Sequence, residues 1–154
     1  MSAPLIDQEF RTRRVSALKK RLAESGCRLT SQRLAILDAL VNGASHPTAE
    51  EIHSLVLKVN PTTSLATVYK TVDTLKALGE VQELELGSGR NHYDAVDPIS
   101  HPHVVCTQCG KIEDVRIEGS ERLIERAAEA SGYQLQTERL EFYGVCASCL
   151  LAKS

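Results

Sequence analysis

Two Cys-X-X-Cys pairs, Cys106/Cys109 and Cys146/Cys149, restrict this chain more than any other feature, because four thiols in two such knuckles must be brought together by the fold. Two thiolates separated by two residues can grip one metal from a tight turn, and a second pair completes a tetrahedron at Zn–S distances of roughly 2.3 Å. With four protein ligands no position remains for water, so the expected site is structural and not catalytic. It would tie the last strand of a small domain to its first. The rival readings are a redox dithiol and a pair of disulfides. A redox pair sits at a helix start in a thioredoxin-like βαβ unit, a pattern this chain lacks. Disulfides would leave one of the five cysteines over. That fifth cysteine, Cys27, stands far from the others and reads as a small buried residue.

A chain of 154 residues with 42% hydrophobic content can bury one or two small cores. No stretch approaches the roughly 20 apolar residues that span a bilayer. The opening MSAPLIDQEFRTRR carries acidic residues and no apolar run before its basic cluster, so a soluble, cytoplasmic protein without membrane contact is expected. The net charge of −2 does not by itself advertise nucleic acid. Its distribution is more informative: up to Lys76 there are 11 Lys/Arg against 7 Asp/Glu, and the acidic excess lies beyond. A mildly basic first half joined to an acidic second half suits a DNA reader with a separate assembly domain.

The first half reads as short helices. Val15, Leu18 and Leu22 recur at helical spacing and stop at Ser25-Gly26. Thr30 is a fitting N-cap for SQRLAILDALVN, with Leu34, Leu37 and Leu40 as its buried stripe. Thr48 opens the next helix with Glu51 completing a capping box, Ile52, Leu55, Val56 and Val59 share one face, and Asn60-Pro61 ends it. A fourth helix is expected from about Ser64 to Leu78, with Leu65, Val68, Val72 and Leu75 on one side and Gly79 as the stop. Then EVQELEL, GSG and RNHYDAV read as strand, glycine turn and strand. Helices before a two-stranded hairpin predict a winged helix-turn-helix; a small bundle serving as an interaction module has the same pattern. VDPISHP reads as a hinge. Beyond it, HVVCTQCGKIEDVRI is strand-like on both sides of a cysteine knuckle, ERLIERAAEAS is a short amphipathic helix and YQLQTERLEFYGVC is a final strand or pair. The fold class is therefore α+β: an N-terminal winged helix-turn-helix over 1–96, a hinge at 97–100, and a C-terminal α/β dimerisation domain with a structural zinc site over 101–154.

Of the five histidines, His101 and His103 are the most informative. Pro102 forces its predecessor toward extended geometry, and an i,i+2 spacing points both rings to one side. Asp114 follows in a strand-like run, Asp94 and Asp97 precede the hinge, and His46 lies before a proline in the first half. Imidazoles with carboxylates suit Fe(II), Mn(II) or Zn(II). Taken singly, His46, His53 and His92 read as exposed polar residues. No nucleophile and base arrangement is visible, so an enzyme is not expected.

RLTSQRLAILDAL, HPTAEEIH, SLATVYKTVDTLKALG, HPHVVCTQCGKIEDV and FYGVCASC, in that order, resemble the signatures of the ferric uptake regulator family over about residues 15–150. The resemblance implies a dimeric, metal-activated transcriptional repressor that binds palindromic operator DNA. It also implies a regulatory metal, Fe(II) or Mn(II), on His46, Asp94, His101, His103 and Asp114. Within the family the chain most resembles the peroxide-responsive repressors, which keep an aspartate at the position of Asp114. That likeness implies Fe(II)-dependent oxidation of His46 or His101; the alternative is an iron- or zinc-sufficiency repressor. The spacer from Asp94 to His101 is one residue longer than in that subtype, which leaves Asp94 and Asp97 both as candidates. Ser100 and Pro102 stand where iron sensors have a further histidine-rich site, so one regulatory ion per chain is expected, with Glu138 as a remnant. The fourth helix would enter the major groove, with Ala66, Thr67, Tyr69 and Lys70 facing bases. Arg33 and the basic residues of RTRRVSALKKR would face phosphates.

Overall fold

A computed structural model describes residues 7–86 and 89–152. The chain divides at Pro98/Ile99 into two compact units.

The first unit begins with α1 (Gln8–Glu24), α2 (Ser31–Asn42), α3 (Ala49–Leu57) and α4 (Leu65–Ala77). All four start on a side-chain oxygen that accepts a backbone N–H: Asp7 from Phe10, Thr30 from Arg33, Thr48 from Glu51 and Ser64 from Thr67. Each cap satisfies a donor that a helix start otherwise leaves open, a contribution of about 1 kcal/mol. The capping box at Thr48 and Glu51 is complete. Leu18, Leu22, Ile36, Leu37, Leu40, Ile52, Val56, Val68, Val72 and Leu75 are buried between the helices. Fully burying such side chains stabilises by roughly 1.5–3 kcal/mol each. Cys27 is half-buried and packs against this core.

Two expectations about this core need correction. Leu34 is only half-buried, because α2 is turned by about one residue: its buried side chains are Ile36, Leu37, Ala39, Leu40 and Val41. Val59 is 69% exposed, because α3 already ends at Leu57 and the following turn carries Val59 off the apolar face. Gly43 closes α2 where a side chain could not fit, since a Cβ there would lie 2.3 Å from the Ala39 carbonyl oxygen.

After Gly79 (φ 73°) the chain forms an antiparallel hairpin of β1 (Gln82–Glu85) and β2 (Asn91–Asp94), with Gln82 opposite Asp94 and Glu85 opposite Asn91. Gly87 and Ser88 of the expected glycine turn lie outside the described residues. Arg14 of α1 braces the hairpin root: its guanidinium donates to the Glu80 carboxylate (2.8 Å), the Glu80 carbonyl (2.8 Å) and the Ala95 carbonyl (2.6 Å). Arg21 donates to the other Glu80 oxygen at 2.8 Å. Four helices with this hairpin make the winged helix-turn-helix, α3 and α4 being its paired helices.

The second unit contains β3 (His103–Cys106), β4 (Ile112–Asp114), a 3-10 turn (Ser120–Arg122), α5 (Leu123–Ser131), β5 (Glu141–Gly144) and α6 (Ala147–Leu151). Its sheet has the order β4-β3-β5, with β4 antiparallel and β5 parallel to β3. The segment YQLQTERLEFYGVC yields one short strand and not a pair. Among the described residues, 133–139 join neither edge of the β4-β3-β5 sheet. Pro102, Val105, Cys106 and Ile112 are the buried apolar side chains described here, while Tyr133, Phe142, Tyr143, Leu150 and Leu151 are exposed. No helix among the described residues is long and apolar enough to cross a membrane.

Candidate metal centres and DNA-facing helix

The cysteine quartet is assembled within the second unit by β3, the knuckle after it and the start of α6. β3 ends at Cys106, and the chain turns at once: Gly110 donates its N–H to the Cys106 carbonyl (2.9 Å) in a left-handed conformation (φ 73°). Cys146 precedes α6 and Cys149 lies in its first turn. The Sγ atoms of Cys106 and Cys149 are 3.9 Å apart, and those of Cys109 and Cys146 are 3.8 Å apart. All four lie within 4.8 Å of one another. A tetrahedron with Zn–S bonds of roughly 2.3 Å has edges of about 3.8 Å, so the quartet fits that ion in ligand chemistry and in size.

The electrostatics agree. Backbone N–H groups of Cys109, Cys146 and Gln108 lower the Cys106 thiol to about 6; the Cys146 N–H lies 3.3 Å from its sulfur. Hydrogen bonding to Cys146 and Cys109, then burial and Cys106, pushes the Cys149 thiol up to about 12. Protons are thus divided unequally among sulfurs in contact, which is the state a divalent cation relieves by taking all four as thiolates.

The remaining expected ligands form one group in each unit. In the second, His103 on β3 stands directly across from Asp114 on β4. The Nε2 atoms of His101 and His103 lie 3.0 and 3.4 Å from the same Asp114 oxygen, and the two rings are 4.4 Å apart between centroids. The Nδ1–H of His101 donates to the Ile99 carbonyl at 2.7 Å, which turns Nε2 toward Asp114. In the first unit, His46 Nε2 lies 3.5 Å from Asp94 Oδ2, and both side chains are buried. The Asp94 Oδ1 accepts the backbone N–H groups of Val96 (2.9 Å) and Asp97 (3.0 Å). Of the two candidate aspartates, Asp94 therefore has its carboxylate at His46, and Asp97 serves it through the main chain.

The reading of His46 as an exposed polar residue fails: it is 6% exposed and is the one non-glycine residue with positive φ (53°) among those described. His53 is half-buried, with its Nε2–H donating to the Thr63 carbonyl at 2.7 Å. His92 is also half-buried, and its Nδ1–H donates to the His46 carbonyl at 2.8 Å. Neither His53 nor His92 is exposed as expected, and the tertiary role of His92 was not legible from spacing. In the second unit, the Ser100 hydroxyl donates to the Glu138 carbonyl at 3.1 Å.

On α4, Ala66, Tyr69 and Lys70 lie on the exposed side, opposite buried Val68, Thr71, Val72 and Leu75. Thr67 is half-buried at the helix start, where its hydroxyl meets that of Ser64 at 2.9 Å. The Tyr69 hydroxyl lies 3.4 Å from a Glu50 oxygen, and burial followed by that carboxylate raises the phenol above its ordinary range. Tyr69 does not fill the gap between helices; with Glu50, Arg90, Asn91 and Tyr93 it lines an open pocket beside the hairpin. Arg90 and Asn91 were not singled out from sequence, although they adjoin the glycine turn of a wing. Arg33 donates to the Arg28 carbonyl at 2.6 Å.

The fold and these ligand sets define a winged-helix protein with a second domain built around a four-cysteine, zinc-type centre. The model of the ferric uptake regulator family matches residues 24–143, and the chain belongs to that family. It is 40% identical over 128 residues, 83% of this chain and 88% of the relative, to the peroxide operon regulator of Bacillus subtilis. Among solved structures it is similar to a zinc-bound manganese uptake regulator, at 33% identity and TM-score 0.67, covering 84% of this chain and 98% of that one. It is also similar to the Campylobacter jejuni peroxide stress regulator, at 31% identity and TM-score 0.65, covering 88% and 98% of the two chains.

Proposed function

We propose that this protein is a cytoplasmic, homodimeric, metal-dependent repressor that senses peroxide, with the winged helix over 1–96 reading operator DNA and residues 101–154 forming the dimer. It is a regulator and not an enzyme. Zinc on Cys106, Cys109, Cys146 and Cys149 is structural. His46 and Asp94 from one unit and His101, His103 and Asp114 from the other take one Fe(II) or Mn(II), across a hinge at 97–100. Because the ligands come from both units, binding favours one arrangement of the two, and only a differential affinity of that kind can shift the equilibrium toward operator binding. Iron(II) bound there would supply the peroxide reduction that adds one oxygen to the ring of His46 or His101. A ring so modified loses its place as a ligand, and the arrangement that suits both half-sites is lost.

The observation that carries this reading is the convergence of two histidine Nε2 atoms on one Asp114 oxygen, beside but separate from the thiols. The 40% identity to a peroxide operon regulator supports the peroxide step. The exposed Tyr133, Phe142, Tyr143, Leu150 and Leu151 support a partner on the second unit. The similarity to a manganese uptake regulator favours a second reading, a metal-sufficiency repressor without peroxide chemistry. Mass spectrometry separates the two. Protein loaded with Fe(II) or with Mn(II) is exposed to peroxide and digested. One added oxygen on the peptides holding His46 or His101, with iron only, is the expected result; unmodified peptides in both samples would leave the metal-sufficiency repressor.

A further inference from the structure

His92 lies on the wing strand and contributes no atom to either ligand set, yet its ring is tied to one of the ligands. Its Nδ1 is 2.8 Å from the main-chain oxygen of His46. A carbonyl can only accept, so Nδ1 carries the proton. Two further contacts fasten the same stretch to the same strand: Thr48 and His92 form an antiparallel bridge, and the Tyr93 N–H donates to the Pro47 carbonyl at 3.0 Å. The segment so held contains the single non-glycine residue in the left-handed region among those described, His46 at φ 53°, a conformation that L side chains avoid and that persists only where the surroundings impose it. Two residues further along the same strand, Asp94 places its Oδ2 3.5 Å from His46 Nε2. One strand therefore carries one ligand directly and grips the backbone of another.

We propose that His92 is a positioning residue for the regulatory metal, its Nδ1–H donating to the His46 carbonyl and so holding the His46 imidazole toward Asp94. This inference rests on the assignment of His46 as a metal ligand. It also makes the wing hairpin part of the sensor, because a movement of β2 shifts Asp94 and His46 together.

The test compares Mn(II) affinity, measured by chelator competition, with the thermal midpoint of the same protein before Mn(II) is added, zinc in place. Four forms are needed: the natural chain, His92→Ala, His92→Asn and His46→Ala. Outer-shell partners of metal ligands typically cost 10–100-fold in affinity when removed. His92→Ala should thus weaken Mn(II) binding at least tenfold with little change in the midpoint. Asparagine presents an N–H close to where Nδ1 stood, and it should restore affinity to within about threefold. Mn(II) affinity of His92→Ala within twofold of the natural chain, while His46→Ala loses binding, would overturn the proposal and leave the site assignment standing. Equal weakening by His92→Ala and His92→Asn would also overturn it, since the donor would then not be what matters. Unchanged affinity in His46→Ala would remove the site assignment and this inference with it.

Discussion

Stripping the zinc should dissolve the second unit while leaving the first intact. Val105 and Ile112 are the buried aliphatic side chains described for residues 99–152. At roughly 1.5–3 kcal/mol for each, they supply about 3–6 kcal/mol before any cost of ordering the chain. A structural zinc contributes about 10–16 kcal/mol in small domains, so the metal outweighs the apolar core several-fold. The first unit has no such dependence, with eleven Val, Leu and Ile side chains at 2% exposure or less between α1, α2, α3 and α4. The perturbation is Cys149→Ser, or a chelator strong enough to bring zinc stoichiometry to zero, applied to the full chain. Hydrogen exchange read by mass spectrometry should show peptides over 103–106, 112–114 and 141–144 losing protection at least 100-fold, about 2.7 kcal/mol. Peptides from the four helices should change less than threefold, and light scattering should show the dimer dissociating. Retained protection across β3 in protein verified to be free of zinc would refute the reasoning, because the apolar contacts alone would then hold the sheet.

The Arg14–Glu80–Arg21 cluster gives a pH-dependent prediction. Burial raises the Glu80 carboxyl, but hydrogen bonds and charge from Arg14 and Arg21 outweigh it, and the net shift is downward. A depressed folded pKa means a stabilisation present above the unfolded value of about 4.3 and lost as pH falls through the folded one. Glu80→Gln should therefore destabilise the first unit by about 3 kcal/mol at pH 7, read from urea midpoints, with the difference closing below about pH 4; a constant difference would contradict it. Tyr69→Ala should weaken binding to the preferred operator far more than to random DNA in fluorescence anisotropy, since phosphate contacts are retained; equal losses would remove Tyr69 from the base readers. Asp114→Glu should lower peroxide sensitivity while metal-activated DNA binding survives, measured by operator release after graded peroxide.

Much of this was readable because it is local. Each helix start rests on a cap and a residue three positions on, so Thr30 and Thr48 marked their helices without knowledge of the rest of the fold. The thiol quartet was readable for a different reason: four sulfurs in two tight turns have few chemical uses, and the 3.8–3.9 Å separations match the one expected. Phase along a helix is not local in this way. Whether Leu34 or Ile36 faces inward depends on where α1, α3 and α4 press, and Val59 passed for a core residue because its spacing continued a helix that had already stopped. The choice between Asp94 and Asp97 was beyond sequence for a similar reason. Both have the chemistry, and it is the turn in which Val96 and Asp97 donate to Asp94 Oδ1 that leaves the Asp94 carboxylate beside His46. His92 shows the limit most clearly, since its role lies in a bond to a carbonyl 46 residues away.

Both ligand sets of the second unit depend on the register of a single strand. β3 runs from His103 to Cys106, so one end offers an imidazole and the other a thiol. Asp114 meets His103 only because β4 pairs with β3 in the register that sets His103 against Asp114 and Val105 against Ile112. Between those strands lies the knuckle, in which the Cys106 N–H donates to the Lys111 carbonyl at 2.9 Å and the Gly110 N–H returns to Cys106. A one-residue slip of β4 would turn Asp114 to the opposite face of the sheet. The thiol centre closes that turn from one side and binds it to α6 from the other, and so fixes the register on which the imidazole site depends. If the imidazole set is the one altered by peroxide, an inert centre is the suitable choice for this task, because a ligand set changed by its signal cannot also hold the frame against which the change is read.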